Sequence, residues 1–216
     1  MDQKLNKVTV TFIIPTIGRE TLYRSIYCLF QQTIPNWKAI IVFDGIDPIL
    51  ESTDERITIV KCDKLGTHGN GSGNVRNFGM NLVDTEWIAF LDDDDTISFN
   101  YLEYFYKELE LMSDLDVIIF RMYDNNLGVL PRIDKTDFFR CEVGISFAIK
   151  KHFFDADVKF VPSNTEDFEL LDDIRKKKNK RYKMVISPYT KYFVKNMFFS
   201  NNHYQEGVRS YINCDE

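Results

Sequence analysis

Four consecutive aspartates, residues 92–95, follow an apolar run over residues 87–91. The run shows no alternation of apolar and polar residues, which is typical of a strand buried on both faces of a sheet. The carboxyl ends of such strands form the edge where open α/β sheets bind their ligands. Adjacent carboxylates repel one another unless a cation neutralises them, and Mg²⁺ and Mn²⁺ prefer oxygen ligands. The pattern therefore predicts a divalent-cation site that would join these carboxylates to substrate phosphates.

An acidic turn that caps the following helix is the simpler interpretation of the four aspartates, because the first turn of a helix favours negative charge. Thr96 or Ser98 could supply that cap with far less charge. We therefore favour the metal site and keep the helix cap as the alternative.

The segments before the aspartates alternate between strand and helix patterns. Runs rich in β-formers predict strands at residues 8–14, 37–43 and 56–62, and apolar residues at helical spacing predict helices at 20–32 and 74–83. This order predicts one α/β domain with a Rossmann-like, mostly parallel sheet, flanked by helices and joined by right-handed crossovers.

The pattern continues less regularly after residue 97. The predicted elements are helices at 99–112 and 166–178, strands at 115–122 and 145–149, and a β-hairpin of residues 181–186 and 189–194. The hairpin is centred on Ser187-Pro188, and a polar tail follows from residue 201. Composition changes most near residue 122, which indicates two halves of one domain.

The bulk properties exclude several classes of protein. A length of 216 residues suits one domain, and a net charge of -6 gives no general attraction to nucleic acid. The first residues are polar without a signal segment, and no apolar run has the length of a membrane span. The four cysteines are scattered, as free thiols would be. We expect a cytoplasmic protein without a transmembrane segment or a nucleic-acid partner.

Other polar segments lie at the same predicted edge. They are the loop 15–19, the pair Asp44-Gly45, and the helix beginning near Asn74, which presents Arg76 beside its first turn. Helix N-termini and glycine-rich loops bind phosphate, and arginine adds a fork of donors. The chain contains neither the dinucleotide-binding G-x-G-x-x-G motif nor a P-loop, so we expect a nucleotide site of another kind.

Six motifs occur together in an order that is characteristic of one enzyme family. They are VTFIIPT (10–16), LFQQT (29–33), IVFDG (41–45), NVRNFG (74–79), FLDDDD (90–95) and TEDFEL (165–170). Each is weak alone, but their order and spacing resemble a family 2 glycosyltransferase with the GT-A fold. The resemblance covers residues 8–195 and is strongest through residue 97.

The resemblance implies inverting transfer of a sugar from a nucleotide donor, most often a UDP-sugar, to a hydroxyl of a glycan, protein or lipid, with Mn²⁺ or Mg²⁺ as cofactor. Pro15 and Thr16 would line the nucleotide pocket through their backbone, and Asp44 would accept a hydrogen bond from the base. The full set implied for the donor is Pro15, Thr16, Arg19, Asp44, Gly73, Arg76, Asp92 and Asp93.

The acidic motif of the family reads Leu-Asp-x-Asp-Asp, so Asp92 and Asp94 match its D-x-D. Asp93 fills a position that usually holds a small residue. The resemblance implies that Asp94 or Asp95 binds the metal, with Asp92 nearer the ribose. His203 in the tail could reach back as a further metal or diphosphate contact, although an isolated histidine such as His203 or His68 is more often simply exposed.

The general base would be Asp167 of the pair Glu166-Asp167, which we predict as the catalytic acids. The reaction needs a carboxylate that takes a proton from the acceptor hydroxyl, on the face opposite the leaving diphosphate. Without the other motifs, two acids in the first turn of a helix would be the better interpretation.

We expect the single domain 1–216 to consist of a nucleotide-sugar-binding half (1–122), an acceptor-side half (123–200) and the polar tail (201–216). The basic run 175–181 is typical of a solvated helix end, and its alternative is contact with an anionic lipid surface or a phosphorylated acceptor. Two other functions compete with sugar transfer: a nucleotidyltransferase, and a catalytically inactive nucleotide-sugar-binding protein.

Overall fold

The computed structural model describes residues 9–66, 71–155, 157–177, 182–195 and 209–213. The strands in this part of the chain are β1 (Val10–Thr16), β2 (Trp37–Asp44), β3 (Ile57–Cys62), β4 (Trp87–Phe90), β5 (Thr96–Ile97), β6 (Val117–Asp124), β7 (Gly128–Leu130), β8 (Phe147–Lys150), β9 (Lys183–Phe193) and β10 (Ser210–Asn213). The helices are α1 (Leu22–Phe30), α2 (Ser72–Met80), α3 (Tyr101–Leu111), α4 (His152–Asp155) and α5 (Glu166–Lys176).

The strands form one mixed sheet in the order β10-β9-β6-β8-β4-β1-β2-β3, with β5 and β7 paired to β9 and β6. β1 runs parallel to β2 and β4, and β2 runs parallel to β3. β8 is antiparallel to both β4 and β6, so β6 and its parallel neighbour β9 point the same way as β4. The sheet is therefore mostly parallel, as the sequence predicts, and the carboxyl ends of β4, β1 and β2 lie side by side.

The first strands are buried on both faces, as their unbroken apolar runs predict. Every residue of β1 and β4 is buried, including Trp87, and Trp37 of β2 is buried as well. Helix α2 packs closely on this layer at Gly79, where an added Cβ would lie 2.7 Å from Ile13 Cγ2 and 3.2 Å from Val42 Cγ2. This close packing places the first turn of α2 beside the carboxyl edge of the sheet.

The predicted hairpin around Ser187-Pro188 is wrong, because β9 is continuous from Lys183 to Phe193. The pairing of β9 with β6 shifts register across this point, from Ile119↔Ile186 to Arg121↔Thr190. An irregularity of this kind accommodates a proline that cannot donate to the ladder. The turn-like dipeptide therefore produces a bulge inside one strand.

The polar tail contains a strand that the sequence did not predict. β10 (Ser210–Asn213) pairs antiparallel with the first half of β9. Just before it, the Arg209 guanidinium contacts the fully buried Glu108 of α3, with Nε 3.0 Å from Oε2. Ser187 Oγ donates to the same carboxylate at 2.8 Å. These partners lie far apart in sequence, so local patterning gives no sign of the pairing.

The basic run forms ion pairs as far as it is described. Arg175 and Lys176 both contact Asp172, and Lys177 Nζ lies 3.9 Å from Asp173 Oδ2. In the described part of the chain, no helix has the length and apolar character needed to cross a membrane.

Candidate active site

The acidic motif after β4 contacts the loop after β1, as the predicted strand order requires. Thr16 Oγ1 donates to Asp93 Oδ2 at 2.6 Å, and Arg19 donates through Nη1 to Asp93 Oδ1 at 2.7 Å. The Gly18 amide in turn donates to Thr16 Oγ1. Burial raises the pKa of Asp93, which is 3% exposed, although Thr16 and Arg19 oppose the shift. Asp93, Thr16 and Arg19 therefore join two strand ends, and Pro15 is buried beside them in β1.

Arg76 of α2 connects the acidic motif to the start of α5. Its guanidinium is almost fully buried and lies 2.5 Å from Asp92 Oδ1, 2.6 Å from Glu166 Oε1 and 3.9 Å from Asp167 Oδ1. The Phe160 ring packs 5.3 Å from the guanidinium carbon. Burial alone would lower the pKa of this guanidinium, but the three carboxylates raise it above its ordinary value. Arg76 therefore stays charged and holds acids from two distant segments together.

The Glu166 carboxylate accepts hydrogen bonds from the first turn of α2. Oε1 accepts hydrogen bonds from Ser72 Oγ at 2.8 Å and from Arg76, and Oε2 accepts the Gly73 amide at 3.1 Å. An added Cβ on Gly73 would collide with Oε2, so only glycine permits this approach. The predicted donor-binding Gly73 and the predicted catalytic Glu166 therefore contact each other.

Asp167 differs from Glu166 because one of its oxygens has no hydrogen-bond partner. Oδ1 is buried and lacks a partner among the described residues, and the whole side chain is 24% exposed. Burial raises the pKa of Asp167 to about 7, and the charges of Asp92 and Glu166 add to the shift, whereas Arg76 opposes it. A carboxyl group with this pKa can accept a proton near neutral pH.

Asp95 is held by two residues of β9 and its continuation, and neither has a signal in the sequence. Its Oδ1 accepts the Lys195 amide at 2.9 Å, and its carboxylate accepts a hydrogen bond from the Tyr192 hydroxyl. The Tyr192 oxygen also accepts the Asp92 amide at 3.1 Å. Burial and the Asp92 charge raise the pKa of Asp95 to about 8. The acidic turn is therefore fixed from the second half of the chain.

A set of oxygen donors of the type that hard divalent cations prefer lies at this edge of the sheet. It consists of the carboxylates Asp92, Asp93, Asp94, Asp95, Glu166 and Asp167, with the guanidiniums of Arg19 and Arg76 as the cations beside them. Acids outnumber these cations, and hard divalent ions take such oxygens as ligands. The Asp94 side chain is 32% exposed, and its Oδ2 lies 3.5 Å from Arg19 Nη1.

A preassembled metal centre is absent from the described residues. Among the described residues, no three or more histidine, cysteine or acidic side chains form a preassembled metal centre. His203 and His68 lie outside the described residues.

Asp44 lies at the end of β2, and its carboxylate is enclosed by the segment after β3. Burial alone would raise the pKa of Asp44, but hydrogen bonds from Lys64 and from the amides of Leu65 and Gly66 hold it below its ordinary value. The carboxylate predicted to contact the nucleotide base is thus already bonded within the chain.

Tyr192→Phe is expected to lower the free energy of unfolding by about 1–3 kcal/mol, because the half-buried Asp92 amide loses its acceptor and the buried Asp95 carboxylate loses a donor. Urea denaturation at neutral pH measures the change. Tyr27→Phe, at an exposed position of α1, is the matched control and should change stability by no more than about 0.5 kcal/mol. Equal unfolding midpoints for both variants would mean that the Tyr192 hydroxyl does not stabilise the acidic motif.

Residues 11–165 match the family model for glycosyl transferase family 2. The chain belongs to glycosyl transferase family 2. The matched stretch contains Thr16, Asp44, Arg76 and the whole acidic motif, and it ends immediately before Glu166-Asp167.

Several curated glycosyltransferases share this sequence pattern. TuaG of Bacillus subtilis (strain 168), a putative teichuronic acid biosynthesis glycosyltransferase, is 31% identical over 116 residues, which cover 50% of this chain and 43% of TuaG. WfgD of Escherichia coli, a UDP-Glc:alpha-D-GlcNAc-diphosphoundecaprenol beta-1,3-glucosyltransferase, is 30% identical over 100 residues, which cover 44% of this chain and 38% of WfgD. The glycosyltransferase MJ1057 of Methanocaldococcus jannaschii is 26% identical over 184 residues, which cover 80% of this chain and 60% of MJ1057. The chain thus spans 60% or less of the length of these relatives.

Solved structures of S. aureus TarS share the fold. TarS 1-349 in complex with UDP-GlcNAc superposes with a TM-score of 0.68 at 16% identity, covering 89% of this chain and 60% of that chain. The complex of TarS 1-349 with UDP gives a TM-score of 0.64 at 16% identity, covering 87% of this chain and 60% of the TarS chain. The family 2 chain therefore has the GT-A fold that its motifs predict.

Proposed function

We propose that this family 2 chain moves a sugar from a UDP-sugar to an acceptor hydroxyl with inversion, using Asp167 as general base. The observation that carries the proposal is the carboxylate of Asp167. One of its oxygens has no hydrogen-bond partner in the described chain, its pKa is raised to about 7, and Arg76 ties its helix to the acidic motif.

The proposed reaction is a single displacement at the anomeric carbon. Asp167 takes the proton of the acceptor hydroxyl while that oxygen forms a bond to the anomeric carbon. The bond from this carbon to the diphosphate oxygen breaks at the same time, and the nucleoside diphosphate leaves with the electron pair. Attack and departure on opposite faces invert the configuration.

Glu166 acts in this scheme as a positioning residue. Its oxygens are bonded to Ser72, Gly73 and Arg76, so the carboxylate holds the first turn of α5 against the first turn of α2. Asp167 follows it directly and receives its orientation from that anchor. Arg76 fixes the distance between the base and the acidic motif.

Asp94 is the proposed ligand for Mn²⁺ or Mg²⁺, because Asp95 is enclosed by Tyr192 and Lys195 while Asp94 is partly exposed. A divalent cation supplies positive charge that stabilises the leaving diphosphate. In this arrangement Asp92 would lie nearer the ribose, and Asp93 holds the loop after β1. His203 remains a predicted additional ligand.

The names of the relatives support a UDP-sugar donor. WfgD is named for UDP-Glc and for a diphosphoundecaprenol-linked acceptor, and TarS is described in complex with UDP-GlcNAc. In the proposed arrangement, residues 1–122 bind the donor, and residues 123–200 carry α5 and meet a glycan, protein or lipid acceptor.

Metal-dependent release of UDP tests the proposal. The chain is incubated with a panel of UDP-sugars with and without Mn²⁺, and free UDP is quantified alongside calorimetric titration of UDP. We expect UDP binding that strengthens with Mn²⁺, and slow donor hydrolysis. Binding of UDP without any turnover would indicate an inactive nucleotide-sugar-binding protein. Pyrophosphate release from a nucleoside triphosphate, with no binding of UDP, would indicate a nucleotidyltransferase.

A further inference from the structure

Helix α3 contacts β9 at alternate residues along the bulge. Ser187 Oγ donates to Glu108 Oε1 at 2.8 Å. One turn earlier on α3, the Tyr104 ring packs against the Tyr189 ring, with 4.2 Å between their centres. Lys191 Nζ lies 3.5 Å from the centre of the same Tyr104 ring. Residues four positions apart lie on one face of a helix, so one face of α3 holds residues 187–191 of β9.

Pairing with β6 does not by itself fix the position of this stretch of β9. The register between the two strands shifts twice within residues 119–122 of β6. A slip of one residue would carry the Tyr192 hydroxyl about 3.3 Å along the strand and turn it to the other face. That hydroxyl accepts the Asp92 amide and donates to the Asp95 carboxylate. The contacts with α3 therefore keep Tyr192 at the acidic motif.

The carboxylate of Glu108 is fully buried, and the Arg209 guanidinium contacts it through two nitrogens. Nε lies 3.0 Å from Oε2, and Nη2 lies 3.2 Å from Oε1. β10 pairs antiparallel with β9 through Ser210↔Ile186, so Arg209 lies level with Ser187. A buried charge that loses its partner is strongly unfavourable. Arg209 therefore allows Glu108 to stay buried beside Ser187.

We infer that Glu108 and Arg209 are positioning residues for the acidic motif, although neither belongs to it. Their ion pair fixes Ser187 at the bulge, and the next residues of β9 present Tyr192 to the motif. The inference rests on the proposed function, in which this motif binds a divalent cation and the donor diphosphate. Groups that orient metal ligands change metal affinity by about 10- to 100-fold when they are substituted. The C-terminal strand β10 therefore contributes to donor binding from outside the donor site.

Isothermal titration of UDP in the presence of Mn²⁺, into the full chain and into Arg209→Met, tests this assignment. We expect Arg209→Met to weaken binding by about tenfold, because Glu108 is then left without a partner charge and releases Ser187. Adding Glu108→Gln to Arg209→Met should recover most of the affinity. Glutamine keeps an oxygen for the Ser187 hydroxyl but has no charge to leave unpaired.

Leu115→Ala is the matched control for a loss of stability. Leu115 is fully buried just before the amino end of β6, at the edge of the sheet opposite the acidic motif. Lower stability does not change the affinity of a chain that is still fully folded. At a temperature where circular dichroism shows each variant folded, Leu115→Ala should bind UDP as the unmodified chain does.

Ser187→Ala is a milder variant that keeps the ion pair of Glu108 and Arg209. It removes one hydroxyl and should weaken UDP binding by about threefold, within the range for one hydrogen bond. This variant tests the inference even if Arg209→Met does not fold. Binding as tight as that of the unmodified chain, in every folded variant of Ser187 and Arg209, would overturn the inference and leave the proposed function standing.

Tyr192→Phe tests the route by which Arg209 acts. If both residues act through one contact, adding Arg209→Met to Tyr192→Phe should weaken UDP binding no further. Hydrogen exchange of the Asp92 amide, measured by NMR without nucleotide or metal, reports the same contact, because this amide donates to Tyr192. Arg209→Met should speed this exchange more than Leu115→Ala does.

Two results of these measurements would contradict the role of Arg209. They are losses of affinity that multiply in the double variant, and Asp92 exchange that is no faster in Arg209→Met than in Leu115→Ala. Both would leave the proposed function standing. If the unmodified chain does not bind UDP with Mn²⁺, the proposed function fails, and the exchange rate of the Asp92 amide alone decides whether Arg209 positions the acidic motif.

Discussion

Asp167→Asn is expected to slow sugar transfer by about 10²- to 10⁴-fold, the usual contribution of a general base. The amide keeps the shape of the carboxyl group, but it cannot take the acceptor proton. Asp167 makes no hydrogen bond through Oδ1 in the described chain, so the substitution breaks no contact at that atom. Initial rates of UDP release in the presence of acceptor measure the effect, which should fall on kcat and leave the KM for the donor nearly unchanged.

Asp173→Asn provides the matched control for this substitution. Asp173 lies on the same helix, its side chain is 49% exposed, and its Oδ2 lies 3.9 Å from Lys177 Nζ. The control should transfer sugar at the unmodified rate. If Asp167→Asn and Asp173→Asn have the same kcat, another group must take the acceptor proton, and the assignment of Asp167 is wrong.

The same carboxylate determines the expected pH dependence of transfer. Burial, together with the neighbouring acids, raises the pKa of Asp167 to about 7. The base works only when ionised, so the rate should be full above this pKa and fall about tenfold for each pH unit below it. In Asp167→Asn, this limb of the pH profile should disappear. A profile that stays flat as pH falls through 7 would contradict the assignment.

The first half of the site could be predicted because its signals are local. Each strand end is marked by an apolar run that stops at polar residues, and parallel order then brings those ends to one edge. The contact between Thr16 and Asp93 follows from this rule alone, since β1 and β4 are neighbours. The positions of the Asp cluster and the loop after β1 therefore agree with their sequence-based prediction.

The second half was predicted less well because its contacts depend on long-range packing. Tyr192 and Asp95 are brought together by the pairing of β9 with β5 and β6, and the register of β9 includes a bulge. Propensity rules assign Ser187-Pro188 to a turn, yet β9 continues through Pro188, although this residue has no N–H to donate to the sheet. Likewise, nothing near Glu166 in the sequence indicates that its carboxylate would bind the first turn of α2.

Arg76→Met is expected to lower the free energy of unfolding by about 3–5 kcal/mol, the usual cost of removing one partner from a buried ion pair. The side chain of Arg76 is only 3% exposed, and those of Glu166 and Asp92 are 11% and 30% exposed. Methionine fills a similar volume, so the loss reports mainly on charge. Without the guanidinium, the neighbouring carboxylates repel one another in a largely dehydrated site. Urea denaturation gives the unfolding free energy of each variant.

Arg140→Met tests whether this loss is specific to the buried pair. Arg140 is 56% exposed and lies 2.6 Å from Glu169, so its substitution should cost no more than about 1 kcal/mol. The deficit of Arg76→Met should shrink as pH falls, because protonation removes the charge that methionine leaves uncompensated. It should also shrink when Glu166→Gln is added, since the two residues share one network and their effects are not additive. If Arg76→Met loses no more unfolding free energy than Arg140→Met, and the loss does not change with pH, the charge of Arg76 does not stabilise the fold. Another interaction would then have to hold Asp167 and the acidic motif together.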